Sequence, residues 1–246
     1  MDQVLEEKVN TMARRGLRTL AYAYKDIDFY AWEDMKRNNN NFLSESDREN
    51  IENEFIFVGA FGLEDELKDG VTESIRQLRA GEVNIRMLSG DNLYTAIECA
   101  KKAGILKEGD ERQDKVCLTG KEFKELIGGV KRTIDKEGKQ KYEIINKTNF
   151  RGLLSKLKVL ARTTPEDKFA MIVGLQENNC QVAMTADGIN DAGALKHANV
   201  GFAMGQEGCE VAKEAADITI LDDNFRSVFR AVQYGRNLFD NIKKFI

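Results

Sequence analysis

A single proline, Pro165, and a single histidine, His197, occur in 246 residues. The four cysteines, Cys99, Cys117, Cys180 and Cys209, form no C-x-x-C pair. One histidine without paired cysteines argues against a zinc site, and the thiols read as reduced side chains of a cytosolic protein. Basic residues are not in excess: 37 Lys and Arg stand against 41 Asp and Glu, for a net charge of −4. Nothing in that balance draws the chain toward nucleic acid or anionic lipid, and no basic or acidic tail is present. The N-terminus carries no signal-peptide pattern. The longest apolar run, about Phe55–Leu63, is far short of the roughly 20 residues that cross a bilayer. A soluble chain is expected, with a membrane connection only through segments outside it. So few prolines are unusual for an α/β domain, and motifs that normally carry proline must be altered here.

What is present points to an α/β architecture. Residues 2–16 read as a helix, with Val4, Leu5, Val9 and Met12 near helical spacing and Gly16 as a stop. Leu17–Tyr24 reads as a strand. Residues 34–53 turn polar, with four asparagines from Asn38 to Asn41, and read as a helix, a solvated loop and a boundary. From Phe55 onward short apolar runs alternate with helical stretches. The runs are Phe55–Ala60, Val83–Leu88, Lys158–Ala161, Gln181–Met184, Val200–Met204 and Asp217–Leu221. The helices are expected over 69–80, 93–103, 165–178, 191–196 and 210–216. This alternation predicts a mostly parallel sheet with helices on both faces. Residues 109–149 interrupt it as a charged insertion with one short helix and a possible hairpin.

In such sheets chemistry gathers past the carboxyl ends of strands. Three ends carry informative residues: Ser89-Gly90-Asp91-Asn92, Arg162-Thr163-Thr164-Pro165-Glu166-Asp167-Lys168, and Thr185-Ala186-Asp187-Gly188-Ile189-Asn190-Asp191. Singly they have plain explanations as a helix cap, a helix start and a turn. Together they supply a hydroxyl with backbone amides for an anion, a lysine for phosphoryl charge, and carboxylates of the kind Mg²⁺ takes. That set fits phosphoryl transfer, without a nucleophile.

The same residues resemble the P-type ATPases. Thr185–Lys196 resembles the hinge motif TGDGxNDxPALK, and the likeness continues through His197–Gly205, Glu210–Asp217, Leu221–Phe225 and Tyr234–Ile246. Upstream, Arg86–Asn92 with Thr95-Ala96 resembles RMVTGDNxxTA, Ala161–Lys168 resembles ARSSPxDK, and Gly16–Ala21 resembles the end of the nucleotide-binding domain. Among the pumps, the plasma-membrane-type calcium pumps are the most similar. The resemblance implies a Rossmann-like haloacid-dehalogenase fold and an ATP-driven cation pump that forms an aspartyl phosphate with Mg²⁺. It implies a nucleotide-binding-domain remnant over residues 1–53, a phosphorylation domain over 54–224, and over 225–246 a stalk helix leading toward a membrane. Ser89 would bind the phosphoryl group, with Gly90 and Asp91 shaping its loop, and Lys168 would offset charge. Asp187 would hold Mg²⁺ with Asp191, and Asn190 would stand close by. Arg18, Lys68 and Lys168 would meet ATP. The partners implied are the missing N-terminal and transmembrane parts of a pump.

The sequence also departs from the family. The DKTGT motif with the phosphorylated aspartate does not occur, so the chain reads as a piece of a pump that is inactive alone. Asp135-Lys136-Glu137-Gly138 and the Asp26, Asp28 pair copy fragments of nucleophile motifs but lack their context. Ala186 replaces a glycine and would be strained if that position needs a positive φ. Gly193 replaces a proline, and Asp65-Glu66-Leu67-Lys68 stands in place of DPxR. These changes motivate an alternative, an inactive pump-derived interaction or regulatory protein; a third reading is a soluble phosphatase of the same fold.

Overall fold

The computed structural model describes residues 2–49, 51–64, 66–134, 138 and 140–246. It divides into two compact units, Met1–Ala13 with Leu17–Asp65, and Arg14–Gly16 with Glu66–Ile246.

Nearly all of α1 (Asp2–Arg14) falls in the first unit, with β1 (Arg18–Tyr24), α2 (Phe29–Asn38), α3 (Glu45–Glu49) and β2 (Ile56–Leu63). Strands β1 and β2 pair antiparallel from Arg18↔Leu63 to Tyr24↔Ile56. The run containing β2 therefore does not join the parallel sheet expected from the alternation, and it falls in the first compact unit with β1. Helix α2 starts where Asp28 accepts the N–H of Tyr30 at 3.0 Å, filling one of the donors a helix start leaves open. One carboxylate of the Asp26, Asp28 pair is thus a helix cap. Trp32 stacks on Phe42 with ring centres 5.3 Å apart, and Lys25 Nζ ties back to the Asn53 carbonyl at 3.1 Å.

The second unit runs α4 (Val71–Ala80), β3 (Met87–Leu88), α5 (Leu93–Lys102), β4 (Cys117–Thr119), α6 (Gly120–Ile127), β5 (Val130–Ile134), β6 (Gln140–Ile144) and α7 (Lys147–Leu153). It continues with β7 (Val159–Ala161), α8 (Pro165–Glu177), β8 (Ala183–Ala186), α9 (Ala192–His197), β9 (Val200–Met204), α10 (Glu210–Ala215), β10 (Ile218–Ile220) and α11 (Phe225–Phe245). Two parallel three-stranded sheets form, ordered β3-β7-β4 and β10-β9-β8. Their strands show why both faces are covered. In β7, Val159 and Ala161 join the core with residues of α4 and α5, while Leu160 between them joins the core of α6, α7 and α8. In β9, Phe202 packs with Val228 of α11 and Ala203 with Leu195 of α9. Side chains alternate across a strand, so each sheet is apolar on both faces, as parallel sheets require.

Aromatic residues anchor the α6–α8 side. Phe123 and Phe150 are fully buried with ring centres 6.3 Å apart, each worth about 1.5–3 kcal/mol of burial. Gly174 lets Phe150 lie against α8, since a Cβ there would stand 2.3 Å from the ring.

Two expectations need correction. Val83–Leu88 pairs only at Met87 and Leu88, because Arg86 turns inward to donate to the carbonyls of Leu154 and Leu157. The 109–149 segment is not a mere insertion: β4 lies in it and pairs with β7 from Cys117↔Val159 to Thr119↔Ala161. The expected hairpin is there as β5–β6. Asp135, Lys136 and Glu137 lie outside the described residues. No described helix is long and apolar enough to cross a membrane. On α11, Val228 is buried while Leu238, Phe239, Ile242 and Phe245 are exposed.

Candidate functional site

The loop after β3 is held from both sides. Ser89 N–H donates to the Leu160 carbonyl at 2.9 Å, extending the β3–β7 pairing by one residue. Asn92, not Ser89, caps α5 by accepting the Thr95 N–H at 2.9 Å. Ser89 Oγ instead closes a small ring with Asp91, donating to Oδ2 at 3.0 Å and accepting the Asp91 N–H at 3.1 Å. Gly90 is exposed, with open space where a Cβ would stand.

The loop after β7 is stitched to it. Arg162 N–H donates to Asp91 O at 2.9 Å and Thr163 N–H to Ser89 O at 3.0 Å. Arg162 holds φ at 51°, a left-handed value uncommon for a side-chain-bearing residue. Thr164 and Asp167 then form a reciprocal capping box, with Pro165 at the start of α8. Asp167 is buried, and its Oδ2 accepts from both the Thr164 N–H and hydroxyl at 2.9 Å. Gly120 makes room for this corner, because a Cβ would lie 2.5 Å from Asp167 Oδ2 and 2.8 Å from Arg162 O.

The box fixes the turn that carries Lys168. Its Nζ lies 2.9 Å from Asp191 Oδ2, as a hydrogen bond, and 2.8 Å from Oδ1. The Oδ1 contact lacks hydrogen-bond alignment, so that buried oxygen has no hydrogen bond. Asp191 is 6% exposed. Lys168 and Asp191 are therefore brought together as a largely buried ion pair across the β7 and β8 ends. Asp187 and Asn190 are exposed, and the Asp187 carboxylate has no partner among the described residues. No hydrogen bond among the described residues joins the Ser89 loop to Lys168, Asp187 or Asn190.

Lys68 lies elsewhere. It donates to the Asp223 carbonyl at 3.2 Å and stands 3.6 Å from Glu207. Arg18 is exposed at the start of β1 in the first unit. Asp223, within the Leu221–Phe225 motif, is a residue to which the sequence alone assigns no role. Its buried carboxylate accepts the N–H groups of Gly205, Gln206 and Glu207, from a residue held at φ 48°. Burial opposes ionisation, but those amides and the Lys68 charge outweigh it, leaving the carboxyl below its ordinary range.

The strain considered for Ala186 is not incurred. It is an ordinary residue of β8 paired with Ala203, buried, and not among the positive-φ positions. Gly193 in α9 has open space around it. For a metal, the described residues hold no group of three or more His, Cys, Asp or Glu. They do offer the unpartnered Asp187 carboxylate and, beside it in sequence, the Asp191 carboxylate paired with Lys168. Such hard oxygens fit Mg²⁺, which binds through one or two carboxylates and keeps waters.

A family model described as P-type ATPase, cytoplasmic domain N, matches residues 1–70. Plasma membrane calcium-transporting ATPase 4 of Homo sapiens is 38% identical over 252 residues, covering 100% of this chain and 18% of that protein. Plasma membrane calcium-transporting ATPase 3 of Homo sapiens is 38% identical over 250 residues, with the same two coverages. Calcium-transporting ATPase PAT1 of Dictyostelium discoideum is 38% identical over 241 residues, covering 98% of this chain and 18% of that protein. The chain thus spans less than a fifth of the length of these relatives.

Proposed function

We propose, proceeding from the chain's homology to P-type cation-transporting ATPases of the plasma-membrane calcium type, that its second unit is the phosphorylation domain of a calcium-transporting pump. The first unit is then the end of a nucleotide-binding domain, and α11 a stalk helix leading toward the membrane. In the whole protein this region works at the cytosolic face with ATP and Mg²⁺, and the aspartate of a DKTGT segment carries the phosphoryl group.

One observation supports this reading above the rest. β3 and β8 are each the edge strand of a half-sheet, and each ends at candidate residues. A parallel strand between them would join the halves into one sheet of the haloacid-dehalogenase type. Its carboxyl end would open between Ser89 and Asp187, where an acceptor aspartate belongs.

In this reading Ser89 turns its hydroxyl from Asp91 toward a phosphoryl oxygen, with Gly90 leaving space for the approach. Lys168 neutralises developing charge from its position against Asp191, a form of fixed electrostatic stabilisation. Asp187 and Asp191 Oδ1 would hold Mg²⁺, which supplies charge to the phosphoryl oxygens when bound. Asn190 lies beside them in sequence.

The test is a chimera in which these 246 residues replace the matching stretch of human plasma membrane calcium-transporting ATPase 4. Calcium-dependent, acid-stable phosphoenzyme that Lys168→Ala abolishes is the expected result. A chimera that reaches the membrane folded yet forms no phosphoenzyme would overturn the reading. It would favour the alternative, an inactive regulatory relative.

A further inference from the structure

On the helical side of the second unit, away from the Ser89 loop, a cleft of about 460 Å³ opens between β6, α7 and α8. That size lies within the range of small-molecule sites, roughly 300–1,000 Å³. Its walls include Lys141 on β6 and Lys147 and Arg151 on α7, with Glu177 on α8 as the one carboxylate among the described residues. Three cations thus face one carboxylate, in a chain whose net charge is −4.

The charges are arranged unevenly. Lys147 sits 2.9 Å from Glu177 and 3.1 Å from Glu143, just outside the lining. Glu143 is shared further with Lys141 at 3.4 Å and Lys131 at 3.7 Å. Glu177 also accepts the Ile144 N–H at 3.1 Å. Both carboxylates are therefore already engaged, and among the described residues three lysines share these two anions, with Arg151 as a further cation. Arg151 is exposed at the cleft, and its guanidinium has no partner among the described residues. An aromatic cluster backs the cleft. Tyr142 packs edge-on against Phe169 and His197, with ring centres 5.0 Å and 5.8 Å away.

We propose that this cleft binds a small phosphate monoester, its phosphate held by Arg151 with Lys141 and Lys147 and its organic body against Tyr142. A free guanidinium fork suits two phosphate oxygens at once, and the two lysines add point charge. The site is distinct from the phosphoryl-transfer residues and does not depend on their assignment.

Isothermal titration of the full chain at low salt with glucose 6-phosphate and with adenosine 5′-monophosphate tests it. The two ligands share the phosphate and differ in the body. Saturable one-to-one binding of at least one is expected, weakened tenfold or more in Arg151→Gln and unchanged in Ser89→Ala. The Arg151 side chain has no hydrogen bond or ion pair among the described residues, and unchanged far-UV circular dichroism would verify that the variant is folded. Absence of saturable binding for both ligands would overturn the proposal. So would equal affinity in Arg151→Gln, or a loss confined to Ser89→Ala.

Discussion

Replacing Lys168 with methionine removes the ammonium and keeps most of the side chain's bulk. Asp191, 6% exposed, is then left as a lone carboxylate with no counter-charge. Breaking a buried ion pair from one side costs about 3–5 kcal/mol. The Lys168 side chain is 19% exposed, so water relieves part of the loss and about 2–3 kcal/mol remains. Asp191→Asn leaves the lysine as the orphan, and its flexible stem lets the charge reach solvent, so about 1 kcal/mol is expected. In Lys168→Met/Asp191→Asn the stranded carboxylate is gone, and the double variant recovers about 1–3 kcal/mol relative to the sum of the singles. Urea unfolding followed by far-UV circular dichroism is the assay. Trp32 lies in the first unit and its fluorescence would report the wrong region. With a urea slope of about 2–3 kcal/mol per molar, Lys168→Met lowers the midpoint by about 1 M. Equal effects of the two single variants with strict additivity in the double would refute the reasoning.

Gly120→Ala forces a Cβ against the Asp167 carboxylate and Arg162 carbonyl, and thermal or urea unfolding should show a loss of about 1–3 kcal/mol. Asp223 titrates below its unfolded value of about 3.9, so it contributes stability above that pH and loses it as pH falls through the lower folded value. Asp223→Asn should therefore be less stable at pH 7 and show a flatter acid limb of melting temperature below about pH 4; parallel profiles would contradict this. Burial pushes the Cys117 thiol up to about 11, whereas Cys180 is exposed. At pH 8 Cys117 is about one part in a thousand thiolate, so iodoacetamide mapped by mass spectrometry should modify Cys180 well before it.

Much of the fold could be read from the sequence because strong local signals agree with the packing. Pro165 with Thr164 and Asp167 starts α8 where a capping box requires, and Asn92 starts α5. The strands at Val159–Ala161 and Val200–Met204 are apolar runs buried on both faces. β4 does not stand out in the sequence because its three residues, Cys117–Thr119, carry too little periodicity. The partner of β2 was misread because an apolar run states that a strand forms but not which strand it pairs with. At the site, the strand-end positions of Ser89 and Asp187 and the helix start that carries Lys168 are legible from the alternation. That Lys168 would close on Asp191 is not, since 23 residues and a β-strand separate them. The cradle around Asp223 was hidden for a similar reason: its donors are backbone amides, which carry no sequence signature. Ala186 looked strained by analogy with a glycine motif, yet φ at this position is ordinary and the methyl group fits the core.

Mg²⁺-dependent binding of beryllium fluoride to the purified chain, with and without a polypeptide carrying DKTGT, tests the proposed phosphoryl site most directly. Binding that appears only when the polypeptide is added is the predicted result, because Ser89, Lys168 and Asp187 then surround a supplied aspartate. Binding without it, or no binding in either case, would contradict the assignment of these residues to phosphoryl transfer.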